Sequence, residues 1–204
     1  MTSFCCTKEF KFSVEVEKQH DVVLQYLALE EAVNALKDCE FYFRRYPFRG
    51  LPVTRNNHIT NICEMYFGRF YEFKERLKKY FKAVNAAAPE HGLDVGAFVR
   101  LFEKVFDQEL RERNGVHHHG RFQDLAIDRV YLTGAISMNK KRKGWEQEHL
   151  IAYRKLANEW ARRARRSGAK MDEFLEAIAV VTLVSCSFLS DLVPACPKSS
   201  ANTD

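Results

Sequence analysis

Glycine and proline are scarce in this chain, nine and five in 204 residues. So few turn formers exclude the many short strands of a sandwich or barrel and leave long helices as the default. Long hydrophobic runs are also missing. The most apolar stretch, residues 177–189, is interrupted by Thr182, Ser185 and Ser187, and a membrane span needs about 20 apolar residues. It predicts a buried helix and no membrane partner. The six cysteines (Cys5, Cys6, Cys39, Cys63, Cys186 and Cys196) form no CxxC pair, and there is no HExxH. They are expected to be reduced thiols, with Cys39, Cys63 and Cys186 acting as small core hydrophobes. Residues 1–12 lack the basic start, apolar run and small-residue cleavage site of a secretory signal, so a cytoplasmic location is expected.

What is present is core material and charge. Hydrophobic residues make up 46% and charged residues 29%, with 16 phenylalanines, which excludes a disordered or low-complexity chain. The net charge of +5 is unevenly placed: residues 140–170 carry +8 and the remainder −3. Lys140, Lys141, Arg142 and Lys143 open that segment. A basic stripe suits a polyanion, and it equally suits a solvated helix face.

The hydrophobic spacing predicts an all-α bundle of five to six helices, in one domain over 1–193 with a disordered tail over 194–204. Residues 10–16 alternate with period two and predict one short N-terminal strand. A first helix over about 20–46 presents Val23, Leu27, Val33 and Leu36. The aromatic and arginine-rich stretch after it reads as an anchored loop, or as a place for unpaired bases to stack. Ile59, Ile62, Tyr66, Phe70, Phe73, Leu77, Phe81 and Val84 keep an apolar seam over seven turns and define the second helix. Asp94 is the N-cap of a third, whose core face is Val95, Phe98, Phe102, Val105, Phe106 and Leu110. Leu125, Val130 and Leu132 suggest a fourth with Gly134 near its end. Leu150, Tyr153, Ala157, Trp160 and Ala164 build the next, which Gly168 should stop. Met171, Phe174, Leu175, Ile178, Val181 and Leu189 complete a last, mostly buried one.

Chemistry concentrates in residues 111–122, RERNGVHHHGRF. Three readings compete. Three consecutive histidines invite a metal, yet helix neighbours point about 100° apart and strand neighbours to opposite faces, so no metal is assigned and no cofactor is expected. A Cys–His nucleophile finds no recognisable context around any cysteine. Metal-free RNA cleavage needs an acid or base titrating near neutrality and a cation for the developing phosphorane charge. Histidine and arginine meet those needs. If the segment is helical, Arg113 and His118 stand about 140° apart. Joint action then needs a bend at Gly115 or a meeting across a dimer.

The order Arg113, Asn114, three arbitrary residues, His118 resembles the Arg-polar-xxx-His signature of the HEPN superfamily, small all-helical proteins that include many metal-independent ribonucleases. The resemblance spans about residues 20–134 and leaves the basic and apolar helices beyond unassigned. It implies that His118 is the acid or base, Arg113 the phosphate-contacting cation and Asn114 the group orienting the histidine. His117 and His119 are alternatives. Arg121, Lys140, Lys141, Arg142 and Lys143 are candidate RNA contacts, and Tyr131 is another. It further implies a homodimer whose two motifs share a cleft, and a setting in a toxin or defence system with an antitoxin or other protein partner. The competing expectation is a non-catalytic HEPN-like module binding a nucleotide, RNA or protein.

Overall fold

The computed structural model describes residues 11–46, 53–138 and 144–190, without the side chains of His117, His118, His119 and Ser190. The basic residues Lys140, Lys141, Arg142 and Lys143 and the expected tail over 194–204 lie outside the described residues. The fold is all-α. The helices run α1 (Val14–Arg44), α2 (Arg55–Ala87), α3 (Val95–Val105), α4 (Asp107–His119), α5 (Leu125–Ser137), α6 (Trp145–Ser185) and the short α7 (Ser187–Ser190).

Three long helices form the centre, with α1 packed on both α2 and α6, while α4 leans on α2 and α5 on α6. The reason is the apolar seam of α2, whose aromatic side chains need partners on two sides. Tyr66, Phe67, Phe70 and Phe73 are fully enclosed. Trp160 of α6 stacks on Phe43 of α1 at 5.6 Å and meets Phe67 edge-on at 5.7 Å. Phe73 stacks on Phe102 of α3 at 5.1 Å, and Phe70 meets Phe106 at 5.3 Å. Buried side chains form one contiguous cluster. Cys39, Cys63 and Cys186 are free thiols within it, and burial pushes Cys39 up to about 11.

Several sequence expectations are corrected. Among the described residues there is no strand: Ser13 caps α1 by accepting from the Val16 N–H at 3.3 Å, and Val14 to Val16 form its first turn. Two acidic residues there, Glu15 and Glu17, favour a helix start over an alternation too short to find a partner. Val23 and Leu27 are exposed, while Val33 and Leu36 are buried. The third helix divides at Phe106, whose backbone leaves helical geometry (φ −114°, ψ 27°), so Phe102, Phe106 and Leu110 reach the core while Val105 faces solvent. Apolar spacing continues through this break and so does not report it. Leu125 and Leu132 are exposed although Val130 is buried.

Gly168 does not stop a helix: it lies inside α6, which runs unbroken over 41 residues from Trp145 to Ser185. It lies where α1 approaches α6, and a Cβ there would sit 2.7 Å from Cγ of Lys37. The glycine serves close approach rather than termination. The last stretch is only partly buried, with Val180 and Val184 exposed. Among the described residues no helix is long and apolar enough to cross a membrane.

Candidate functional site

The motif helix α4 is strongly polar and carries Asp107 and Glu109 in its first turn. Phe106 and Leu110 attach it to the core, and polar contacts add to them. Glu109 accepts from Arg163 of α6 at 3.1 Å and from the Tyr66 hydroxyl at 3.5 Å. The same hydroxyl bonds Ser167 Oγ at 2.8 Å. Burial raises the Tyr66 phenol far above its ordinary range, so it stays protonated and donates. Arg163 also lies over the Trp160 ring at 4.9 Å. This network joins α2, α4 and α6 at the motif helix's first turn.

One turn further on, the Arg113 guanidinium sits 3.9 Å from the centroid of the Tyr71 ring and donates from Nη1 to Asn114 Oδ1 at 3.3 Å. A guanidinium stacked on a tyrosine keeps its in-plane donors for an anion while its swing is restricted. Asn114 is exposed and engages Arg113, so its observed contact is with the cation.

The helix runs on through Gly115, whose φ is not positive, and ends at His119 before Gly120 at φ 115°. The bend at Gly115 that would turn Arg113 and His118 toward one another does not occur. By helical register, position 118 stands about 140° around the axis from position 113, and position 117 about 40°. All three histidines are thus placed by the backbone in the last turn of α4.

The following loop is fastened to α2. Glu64 accepts from the Phe122 N–H at 3.1 Å and from Arg121 Nε at 3.3 Å, and Arg121 also bonds Asn61. The Phe122 ring packs on Phe67 at 5.1 Å and on Trp160 at 5.6 Å. Arg121, a candidate RNA contact, is therefore held in an ion pair. It still lines an open cavity of about 220 Å³ with Glu112, Gly115, Val116, Phe122 and Gln123, beside the end of the motif. Tyr131 is exposed on α5.

The arginine-rich connection between α1 and α2 is aromatic-anchored where it is described. Tyr46 donates to the Val53 carbonyl at 2.7 Å, and Arg55 covers the Tyr46 ring at 4.9 Å. Among the described residues, no group of three histidine, cysteine or acidic side chains is placed to hold a metal. The buried thiols Cys39 and Cys63 are both pushed up by burial, which opposes thiolate chemistry at those positions.

Sequence reasoning missed Tyr71, Glu109, Arg163 and the Glu64–Asn61 clamp. Tyr71 follows Phe70 at the edge of the apolar seam, which is where a ring half open to solvent belongs. Glu109 and Arg163 are 54 residues apart, and no local pattern joins them. No protein-family model, curated protein or solved structure matches this chain.

Proposed function

We propose that the protein is a metal-independent endoribonuclease of the HEPN type, acting as a homodimer, with a place in a toxin or defence system. The observation that carries this reading is Arg113 pinned over Tyr71 at 3.9 Å in the helix whose last turn holds three histidines. In the reaction a histidine, with His118 the first candidate, accepts the proton of a ribose 2′-hydroxyl as its oxygen bonds to the adjoining phosphorus. The bond from phosphorus to the 5′-oxygen breaks, and that oxygen is protonated by an imidazolium. One product ends in a 2′,3′-cyclic phosphate and the other in a free 5′-hydroxyl. Arg113 offers its in-plane donors to the phosphorane oxygens, whose charge grows in the transition state.

Two observations support the dimer. On a straight α4, Arg113 and His118 stand about 140° apart; two copies facing one another bring an arginine of one to a histidine of the other. α5, which begins just after the motif, is apolar on its buried side and exposes both apolar and charged side chains on the other. Ile127 and Val130 are buried, while Leu125 is 88% exposed and Tyr131 and Leu132 are exposed with Asp128 and Arg129. Exposed apolar side chains of this kind, set among charges, suit contact with a second copy of the chain.

That same separation within one chain favours a second reading, a non-catalytic module that binds RNA or a nucleotide. Incubating an RNA pool in EDTA with the wild type, Arg113→Ala and His118→Ala separates the two. Cyclic phosphate ends that vanish in both variants support the nuclease. Intact RNA with a folded, dimeric wild type supports the binding module.

A further inference from the structure

The basic side chains of α6 have different fates. Arg165 donates to both oxygens of Glu40 on α1 at 3.0 and 2.5 Å, and Arg163 is committed to Glu109. Arg166 and Lys170 are exposed, and neither has an ion pair or hydrogen bond among the described residues. They stand one turn apart on the same helix face. Such a like-charge pair is mutually repulsive, a strain that a bound anion removes.

Both line a cavity of about 330 Å³ between α4 and α6, together with Gln108, Glu109, Arg163 and Ser167. Its charge is positive: Glu109 is the one acid among these residues and is already neutralised by Arg163. Its floor is polar and fixed, because Ser167 is buried and bonded to the Tyr66 hydroxyl at 2.8 Å. The Gln108 amide supplies a neutral donor from the α4 wall. Arg166 presents a planar fork that matches two phosphate oxygens, and Lys170 adds a mobile point charge. Glu109, at the back of this cavity, lies one turn before Arg113 on α4, and the two rest on Tyr66 and Tyr71 of the same helix.

We infer that this cavity is a phosphate-binding site that holds the sugar-phosphate backbone of an RNA strand running along α4 toward Arg113. The inference rests on the reading of the protein as RNA-binding, and it holds for either a nuclease or a binding module. Because the contacts are to phosphate, they add affinity without sequence preference.

The test uses a single-stranded 2′-O-methyl RNA, which lacks the attacking hydroxyl and so reports binding alone. Its affinity is followed by fluorescence anisotropy over a series of salt concentrations for the wild type, the R166A/K170A double variant and Arg165→Ala. The double variant should bind on the order of tenfold more weakly, equally on uridine and adenosine oligomers, and its log–log salt slope should fall by about 1.4. Arg165→Ala, on the Glu40 side of the helix, should behave as wild type. Unchanged affinity and slope in a folded double variant overturn the site. So does an equal loss in Arg165→Ala, which reports net charge only, or a wild type without measurable RNA affinity. Cleavage of ordinary RNA is scored in parallel. A wild type that binds through Arg166 and Lys170 yet never cleaves keeps this site and removes the nuclease; one that cleaves with the double variant unimpaired in binding does the reverse.

Discussion

The two sides of α2 are built by different means. Toward α1 and α6 it presents Tyr66 and Phe67 to Phe43 and Trp160, a dry aromatic interior with ring centroids 5.2 to 6.4 Å apart. Toward α4 it meets Phe106 and Leu110, then a sequence of charged and polar anchors at Glu109, Arg113 and Arg121. Burial of large apolar area dominates stability, and charge-assisted contacts set position more than they add free energy. The aromatic side therefore holds the fold, and the polar side places the motif helix on it. Substitutions on the first should unfold the protein; those on the second should silence it while leaving it folded.

The largest break is expected at Trp160. Its ring touches Phe43, Tyr66, Phe67 and Phe122 within 6.0 Å, so Trp160→Ala should cost about 3–5 kcal/mol in denaturant unfolding. Next comes Arg113→Lys. A lysine keeps the charge but not the planar fork stacked on Tyr71, so cleavage should fall on the order of a hundredfold or more with little change in melting temperature. Equal losses of stability in the two variants would erase the distinction between the sides.

Two glycines sharpen it. Nothing would lie within 4 Å of a Cβ at Gly115, whereas one at Gly168 would meet Lys37 Cγ at 2.7 Å. Gly115→Ala should then stabilise by about 0.5–1 kcal/mol, as expected for an unobstructed helix interior, and Gly168→Ala should bring no such gain. A destabilising Gly115→Ala would mean that α4 is not continuous there.

The smallest effect is a pH dependence of the far end of the bundle. Burial holds His149 and His58 below the ordinary histidine range, and the Arg55 charge lowers His149 further. His149 is also bonded through Nδ1 to Thr133 Oγ1 at 3.2 Å. A base whose folded pKa is depressed takes up protons more readily when unfolded. Its stabilising contribution is complete above about pH 6.5 and is lost as the pH falls below it. Melting temperature should therefore drop between pH 7.5 and 5.5, and His149→Gln should flatten part of that slope.

How far these features can be read from sequence follows the same division. The α2 seam was legible because its partners are interchangeable: any apolar neighbour satisfies a phenylalanine. The Asp94 cap was legible because its bond to the Ala97 N–H at 2.9 Å is local. Gly168 was misread because a helix-interior glycine and a terminating one look alike until α1 is seen crossing it. The spacing of Arg113 and His118 pointed to the motif, but the anchoring of Arg113 depends on Tyr71, 42 positions earlier in the chain. The break at Phe106 was hidden for a third reason: its aromatic side chain stays in the core on both sides of the kink.

The central claim is that a straight α4 requires the arginine of one copy to work with His118 of the other. Mixing two inactive variants, Arg113→Ala and His118→Ala, after reversible dissociation tests it most directly. A site shared between copies predicts recovery of about a quarter of wild-type cleavage, since half of the reassorted dimers regain one intact site of two. No recovery, with mixed dimers shown to form, would contradict it. Loss of cleavage in His117→Ala alongside that result would place the reaction within one chain, on the helix face that Arg113 and position 117 share.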